Sequence, residues 1–246
     1  PEKFMKRIID SISSITKQFK IVITYGVSMG GYGAIKYSKA INTTHIISMM
    51  PQWSINPNEI PENRYLKEYN QFSEFLDDMS IKKEEVSGKL YIFYDKYYQE
   101  DKLQSNKILN IGVKNFVFYT PFVGHTLGYI LIGTDFFAQL IKMVLNDNNI
   151  GLNNLVYSKI KKHPLKYQGL IRKAILSHQS LLLRVVQNLP NNHMLFENSL
   201  FIEESKRILK LIKDRKQAID LFTHFKYLDV LHILKFVASQ NYKGNL

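Results

Sequence analysis

The chain has 246 residues, of which 45% are hydrophobic and 22% charged. This length and apolar content suffice for one large core, or for one core and a smaller helical domain, and they argue against wholesale disorder. The chain contains no cysteine, which excludes a disulfide framework, a thiolate zinc site and a cysteine nucleophile. A reducing compartment fits this composition, and we expect a cytoplasmic location. No apolar run approaches the ~18 residues of a membrane span, and the N-terminal residues lack the apolar segment of a signal peptide.

The net charge of +12 is distributed unevenly along the chain. Residues 1–150 hold 17 Lys+Arg against 15 Asp+Glu, whereas residues 151–246 hold 16 against 6, a balance of +10. A basic segment of this kind can bind an anionic surface or polymer. It also arises when lysines cover the solvated faces of helices, and the composition favours this second interpretation. No motif specific for nucleic acids accompanies the basic residues.

In chain order, the first 146 residues alternate between helical and extended patterns. An amphipathic helix is predicted over 3–18, because apolar residues recur there at helical spacing. Short apolar runs that end at glycine or proline predict buried parallel strands. These runs lie at 20–25, 45–50, 90–94 and 115–120. Helical patterns lie between them at 29–40, 66–79 and 102–110, and another follows at 127–146. This alternation predicts an α/β fold whose parallel sheet follows the order of the chain and is covered on both faces.

The sequence pattern changes after residue 146. A polar, turn-rich run over 146–154 predicts a linker, and the remaining patterns are all helical. They cover 153–162, 164–188, 200–224 and 227–240. Their apolar stripes are typical of a helix-bundle core rather than of a cofactor site. We therefore predict an α/β domain over 1–146 and a basic helical domain over 153–246.

A serine stands at the junction between the first strand and the second helix. The run Gly26-Val27-Ser28-Met29-Gly30 has the G-x-S-x-G pattern, in which a tight strand-to-helix turn exposes the serine hydroxyl. Glycines two positions on either side of the serine permit the close approach of the two elements. The flanking strand and helix favour this catalytic turn over a glycine-rich connection without chemistry. Catalysis by serine also needs a base and donors for an oxyanion.

With this run and the elements after it, residues 1–146 resemble the α/β-hydrolase superfamily, in which a serine, an acid and a histidine follow one another along the chain. The resemblance implies that Ser28 is the nucleophile, that Met29 N–H is one oxyanion donor and that His125 is the base. His125 follows Gly124 directly after the last predicted strand, where the family carries its histidine loop. The other six histidines lie before a strand, near a turn or within predicted helices.

Two aspartates are candidates for the acid of this family's triad. Asp95 leaves the third strand directly and stands 30 residues before His125, close to the separation usual in the family. Asp101 stands at the end of the same loop, where its plainer interpretation is a helix N-cap. We prefer Asp95 and keep Asp101 as the alternative.

Two further expectations concern the substrate side of the site. The segment after the second strand, where the family inserts lids and pockets, contains Trp53, which either lines the substrate pocket or packs in the core. In the family, earlier strands precede the serine turn and supply the second oxyanion donor, whereas only a helix precedes it here. We expect either a longer protein with upstream strands or an abbreviated sheet with another donor, and the first strand at an edge of the sheet.

These features predict a serine-nucleophile hydrolase, an esterase or acyl hydrolase that cleaves a small-molecule or glycan ester through an acyl-enzyme. The sequence shows no metal-ligand cluster and no phosphate-binding loop, so we expect no metal and no cofactor. Two alternatives remain open. The protein is an acyltransferase that delivers the acyl group to a hydroxyl such as that of a glycan, or it is a non-catalytic binding protein whose basic helical region holds an anionic partner.

Overall fold

The computed structural model describes residues 2–72 and 79–161, together with residues 163, 165, 166, 169, 170 and 173. The contacts divide the chain into two compact units, Pro1–Lys161 and Lys162–Leu246. The fold and the site below belong to the first unit. The helices predicted over 164–188, 200–224 and 227–240, and with them most of the proposed basic domain, lie outside the described residues.

The centre of the first unit is a sheet of four parallel strands. The strands are β1 (Ile23–Val27), β2 (His45–Met49), β3 (Lys89–Tyr94) and β4 (Asn115–Tyr119). They lie side by side in the order β1-β2-β3-β4, and the register aligns Tyr25 with Ile47 and Tyr91 with Phe116. The α/β class and the order of the parallel strands are therefore as predicted from the alternation of apolar strands and helices.

The inner strands are apolar on both faces, as a covered parallel sheet requires. Strand β3 is buried from Leu90 to Tyr94, and one side of the sheet packs on a core cluster that includes Ile35 and Ile108. Strand β1 lies at the edge of the described sheet, where 41% of Tyr25 is exposed. It begins three residues later than predicted, because Val22 N–H donates to Thr44 Oγ1 instead of to a strand partner.

Seven helices surround the sheet in the described part of the chain. They are α1 (Glu2–Thr16), α2 (Met29–Lys36), α3 (Leu66–Phe72), α4 (Gln99–Leu109), α5 (Leu127–Ile130), α6 (Thr134–Leu145) and α7 (Asn149–Lys161). Two 3₁₀ turns, Lys83–Glu85 and Gly124–Thr126, complete the set. No single helix within the described residues is long and apolar enough to span a membrane. Only the pair Gly124–Ile130 and Thr134–Leu145 meets that test together, across a bend of 106°.

Two predictions, a helix over 127–146 and a linker over 146–154, are corrected by the structure. The single helix predicted over 127–146 is broken before α6, where Gly133 has a φ of 106° that a regular helix does not allow. The linker predicted over 146–154 is a short turn followed by α7. Helix α7 forms there because Leu152, Val156 and Ile160 recur at helical spacing and are all buried.

The carboxyl ends of the four strands meet at one edge of the sheet, where sites gather in parallel α/β proteins. Ser28 follows β1, Met50 follows β2 and Asp95 follows β3. The loop that leads to His125 follows β4. The topology alone therefore brings the serine, one candidate acid and the histidine to the same side of the molecule.

Candidate active site

Ser28 occupies a strained turn between β1 and α2. Its φ of 55° and ψ of −119° lie in a region that residues other than glycine rarely adopt. Ser28 N–H donates to Met49 O at 2.8 Å, and Ser28 O accepts from Tyr32 N–H at 3.0 Å. Because the backbone is bonded on both sides of the serine, β2 and α2 hold it in this conformation. The hydroxyl is consequently presented at the carboxyl edge of the sheet.

The glycines around Ser28 differ in whether a side chain would fit in their place. A Cβ at Gly26 would lie 2.0 Å from Gly30 O, so no larger residue fits where β1 meets α2. A Cβ at Gly31 would lie 2.6 Å from Ser48 Oγ, whereas a Cβ at Gly30 would meet nothing within 4 Å. The predicted close approach is found between Gly26 and the Gly30 backbone. It excludes a side chain at Gly26 but not at Gly30, and a side chain is also excluded at Gly31.

Three polar side chains form a chain of hydrogen bonds at this edge. His125 Nε2 lies 2.9 Å from Ser28 Oγ, and His125 Nδ1 lies 2.7 Å from Asp101 Oδ1. An ionised carboxylate only accepts hydrogen bonds, so Nδ1 carries the hydrogen and Nε2 is left to accept the serine proton. Asp101 is buried, whereas Ser28 and His125 are partly exposed. This arrangement can pass a proton from the serine to the histidine while the aspartate stabilises the imidazolium.

Asp95 has other partners than His125 in the described residues, although it is buried like Asp101. Its Oδ1 accepts from Tyr97 N–H and its Oδ2 from Gly124 N–H, each at 2.9 Å. Burial raises the pKa of Asp95, and the backbone hydrogen bonds partly oppose that rise. The preference for Asp95 as the acid is therefore corrected. Its carboxylate ties the end of β3 to the histidine loop, and Asp101 contacts the imidazole.

Asp101 reaches the histidine from the first turn of α4. The helix begins at Gln99 and its N-cap position is taken by Tyr98, so the N-cap role considered for Asp101 is not found. Unpaired N–H groups make the first turn of a helix a favourable place for negative charge. Helix α4 therefore positions the carboxylate against the histidine.

Aromatic packing shapes the loop that carries His125. Phe122 and Gly124 have positive φ values of 67° and 53°. The Phe122 ring stacks on Tyr97 with the ring centroids 4.7 Å apart, and the Tyr98 ring lies 6.5 Å from that of His125. Burial raises the pKa of Tyr98, so its hydroxyl stays neutral. The loop after β3 thus supports the histidine loop by ring packing as well as by the hydrogen bond to Gly124.

A network of charged side chains behind Asp101 was missed by sequence reasoning. Arg64 Nη1 donates to Asp101 Oδ1 at 2.9 Å, and Arg64 Nε bonds to Glu62, which also accepts from Gln104 Nε2 at 2.7 Å. Burial opposes the charge on Arg64, but the bond to Glu62 and the charges of Asp101 and Glu62 prevail and raise the pKa of Arg64. Arg64 is therefore a permanent cation on the same carboxylate oxygen that contacts His125.

Gln104 anchors the segment that carries Arg64. Its Oε1 accepts from Trp53 N–H at 2.6 Å and from Ser54 N–H at 3.2 Å, and its Nε2 donates to Ser54 O at 2.9 Å. Gln104 is buried on α4, three residues after Asp101. The segment between β2 and α3 is therefore fastened to the helix that positions the acid. The charged run Glu62-Asn63-Arg64 is the only sign of this network in the sequence.

Trp53 packs in the core instead of at the serine. Its Nε1–H donates to Ile81 O at 3.2 Å, its ring packs against the core cluster, and Lys107 Nζ lies 5.2 Å from the ring centroid. None of its contacts in the described residues involves Ser28 or His125. Of the two interpretations from the sequence, core packing is the one that these contacts support.

Two further groups lie beside the serine. The Tyr65 hydroxyl is 3.4 Å from Ser28 Oγ. Met29 is the first residue of α2, so its N–H has no acceptor within the helix, and 73% of its surface is exposed. Met29 N–H is therefore a backbone donor beside the serine, and a phenol stands next to Ser28 Oγ.

The chain matches no protein-family model, no curated protein and no solved structure. Fold class alone does not determine function, because one fold carries many activities. The residues around Ser28 are consequently the features of this chain that bear on its function.

Proposed function

We propose that the protein is a serine-dependent acyl hydrolase of the α/β-hydrolase type, which cleaves a small-molecule or glycan ester through an acyl-enzyme. One observation carries this proposal: the Ser28–His125–Asp101 relay, with contacts of 2.9 and 2.7 Å, on a serine held at a φ of 55°. A serine, an imidazole and a carboxylate in this order are the parts that acyl transfer by serine requires. The strained backbone supports the same interpretation, because such strain is concentrated at functional sites.

In the first half of the reaction, Ser28 attacks the carbonyl carbon of the ester. The bond from Oγ to the carbon forms as the hydroxyl proton moves to His125 Nε2, and Asp101 stabilises the imidazolium through Nδ1–H. Met29 N–H donates to the negative oxygen of the tetrahedral intermediate. The intermediate then collapses, the bond to the leaving alcohol breaks, and His125 returns the proton to that alcohol.

In the second half, the acyl-enzyme is resolved by a second oxygen nucleophile. His125 takes a proton from water, the water oxygen attacks the acyl carbon, and Ser28 leaves with the proton from His125. An acyltransferase would use a bound hydroxyl in place of water and would otherwise follow the same steps. Hydrolysis in the presence of an added alcohol or soluble glycan, with both products measured, gives the partition between the two acceptors.

The nucleophile is tested by substitution. Ser28→Ala should lower the rate of p-nitrophenyl acetate hydrolysis by on the order of 10⁴-fold or more, and His125→Ala should cost a similar factor, because members of a relay act as a unit. A fluorophosphonate probe should modify Ser28 in the wild-type protein, as detected by peptide mass spectrometry. The Ser28→Ala variant should not react with the probe.

A second serine provides the matched control for these measurements. Ser158 is exposed on α7 and its hydroxyl donates to Leu155 O, so Ser158→Ala should retain both labelling and rate. A wild-type protein that hydrolyses no ester and takes no label would argue for the non-catalytic binding protein instead. Activity that survives in Ser28→Ala would exclude this serine as the nucleophile.

A further inference from the structure

The Ser28 hydroxyl has two neighbours with different capacities for hydrogen bonding. His125 Nε2 at 2.9 Å takes the serine proton, because Nδ1–H is committed to Asp101. The Tyr65 hydroxyl at 3.4 Å therefore faces a lone pair of Ser28 Oγ and acts as a donor towards it. Hydroxyl pairs are normally closer than about 3.0 Å, so this O–H is directed at the nucleophile but only weakly bonded in the free protein.

Two backbone donors next to the serine are already in use. Ser28 N–H donates to Met49 O at 2.8 Å, and Met50 N–H, at the end of the neighbouring strand, donates to Phe93 O at 2.7 Å. Met29 N–H, the first N–H of α2 and the one that directly follows Ser28, is the backbone donor assigned to the oxyanion. Acyl transfer by serine normally employs at least two donors, because a full negative charge develops on one oxygen.

We propose that the Tyr65 hydroxyl is the second oxyanion donor, together with Met29 N–H. The proposal rests on the proposed function and names a further catalytic residue for it. When the carbonyl carbon bonds to Oγ, the oxyanion is two covalent bonds from Oγ. A donor 3.4 Å from Oγ can therefore stand at the ~3 Å that an oxyanion bond requires.

The hydrogen bond from Tyr65 strengthens during the reaction. In the free protein the phenol is directed at a neutral serine oxygen across a long contact, whereas in the tetrahedral intermediate it faces a negative oxygen. Only interactions that are stronger in the transition state than in the ground state accelerate the chemical step. Tyr65 satisfies that condition because its best acceptor exists only after attack by Ser28.

The surrounding network holds the phenol in place before the substrate arrives. The Arg64 guanidinium lies 5.4 Å from the Tyr65 ring centroid and is itself bonded to Asp101 and Glu62. Tyr65 O accepts from Tyr69 N–H at 2.8 Å at the start of α3. The network that fixes Arg64 on Asp101 also supports Tyr65. The donor and the acid are therefore held at fixed positions relative to each other. A preorganised donor avoids the cost of reorientation at the moment of reaction.

The test is Tyr65→Phe, which removes the hydroxyl and keeps the ring. With p-nitrophenyl acetate as the substrate, we expect kcat to fall by about 10²–10³-fold and KM to change by no more than about twofold. A methyl trifluoromethyl ketone forms a hemiketal oxyanion with a reactive serine, and its inhibition constant should rise by the same factor as kcat/KM falls. The thermal unfolding temperature should stay close to that of the wild type.

Tyr69 supplies the matched control, because it is a phenol in the first turn of α3, directly after Tyr65 in the fold, and its N–H bonds to Tyr65 O. Tyr69→Phe should leave kcat, KM and the inhibition constant unchanged. A loss in Tyr65→Phe that appears in KM alone, or an unchanged inhibition constant, overturns the oxyanion role and leaves a positioning role. Full activity in Tyr65→Phe also overturns it. A wild-type protein that reacts with neither the ester nor a fluorophosphonate overturns the proposed function as well, and so distinguishes the two failures.

Discussion

The two buried aspartates at the carboxyl edge of the sheet have different partners and therefore different roles. Asp101 bonds to side chains that carry or can take positive charge, Arg64 and His125. Asp95 bonds to the backbone N–H groups of Tyr97 and Gly124. A carboxylate beside an imidazole orients and stabilises it, whereas one that accepts from backbone donors fixes a loop. Substitution by asparagine separates these roles.

Asp101→Asn should act on the rate and Asp95→Asn on stability. We expect Asp101→Asn to lower kcat for p-nitrophenyl acetate by on the order of 10⁴-fold, because an amide can force the wrong tautomer on His125. In Asp95→Asn an amide NH₂ group faces a backbone N–H group. The free energy of unfolding should therefore fall by about 1–3 kcal/mol, while kcat of the folded protein falls far less. Steady-state kinetics and urea unfolding of both variants measure the difference.

The comparison between the two variants is decisive because both carboxylates are buried within the same part of the site. If Asp95→Asn lost as much activity as Asp101→Asn at unchanged stability, the assignment of Asp101 as the partner of His125 in catalysis would be wrong. If both variants lost stability and neither lost specific activity, Asp101 would have no catalytic role.

At the scale of elements, the strand–turn–helix unit around Ser28 depends on how closely β1 approaches α2. The Gly26 backbone meets Gly30 O at a distance that leaves no room for a Cβ. Gly30 itself is on the open side of the helix, with nothing within 4 Å of a Cβ placed there. The two glycines of the motif therefore differ in steric need, although the sequence pattern treats them alike.

Gly26→Ala and Gly30→Ala should change stability in opposite directions. Gly26→Ala forces β1 and α2 apart, and we expect a loss of about 2–4 kcal/mol in the free energy of unfolding, together with a loss of ester hydrolysis as Ser28 is displaced. Gly30→Ala lies within a helix, where alanine is favoured over glycine by about 0.5–1 kcal/mol, so the protein should become slightly more stable. Urea unfolding measures both changes. Equal destabilisation by the two substitutions would contradict this account of the turn.

The strands could be predicted from the sequence because each is a short apolar run with a clear stop. The run Leu90–Tyr94 is apolar throughout and ends at Asp95, and β4 ends two residues before Pro121. The positions of Ser28 and His125 at the carboxyl edge of the sheet could be predicted for the same reason, since they follow such strands or the loops after them. Local pattern is sufficient to place a side chain that lies next to its strand or helix.

The supporting residues could not be predicted, because their partners are distant in sequence. Arg64 contacts Asp101 across 37 residues and Tyr65 contacts Ser28 across 37 residues. Both Arg64 and Tyr65 lie in the irregular segment between β2 and α3, where no periodicity marks them. The choice between Asp95 and Asp101 failed for a related reason. Both lie in one loop-and-helix junction, and the direction of each carboxylate depends on partners that are distant in sequence. These partners are Gly124 N–H for Asp95, and Arg64 and His125 for Asp101.

At the scale of the whole molecule, the proposed chemistry and the excess positive charge occupy different parts of the chain. The site extends from Ser28 to His125, whereas the basic excess lies in 151–246. Helix α7 belongs to the first unit and buries Leu152 and its neighbours on that helix, so a deletion at 151 would remove packed residues. A deletion that starts after Lys161 avoids this, and residues 162–246 still hold 14 Lys+Arg against 6 Asp+Glu, a balance of +8.

If the basic segment binds an anionic surface or polymer, the binding should depend steeply on salt. The full chain should bind heparin or vesicles containing anionic lipid, and the affinity should fall roughly tenfold or more between about 0.05 and 0.3 M salt as the Debye length shortens.

Deletion of residues 162–246 should abolish the binding and leave p-nitrophenyl acetate hydrolysis in place, because the site lies wholly within the first unit. The full-length Ser28→Ala variant is the converse control, since it should bind as the wild type does and lack activity. Co-sedimentation with vesicles and heparin chromatography over a salt series measure these outcomes. Binding that ignores ionic strength, or no binding at low salt, would assign the lysines to solvated helix faces, where their charge serves solubility rather than a partner.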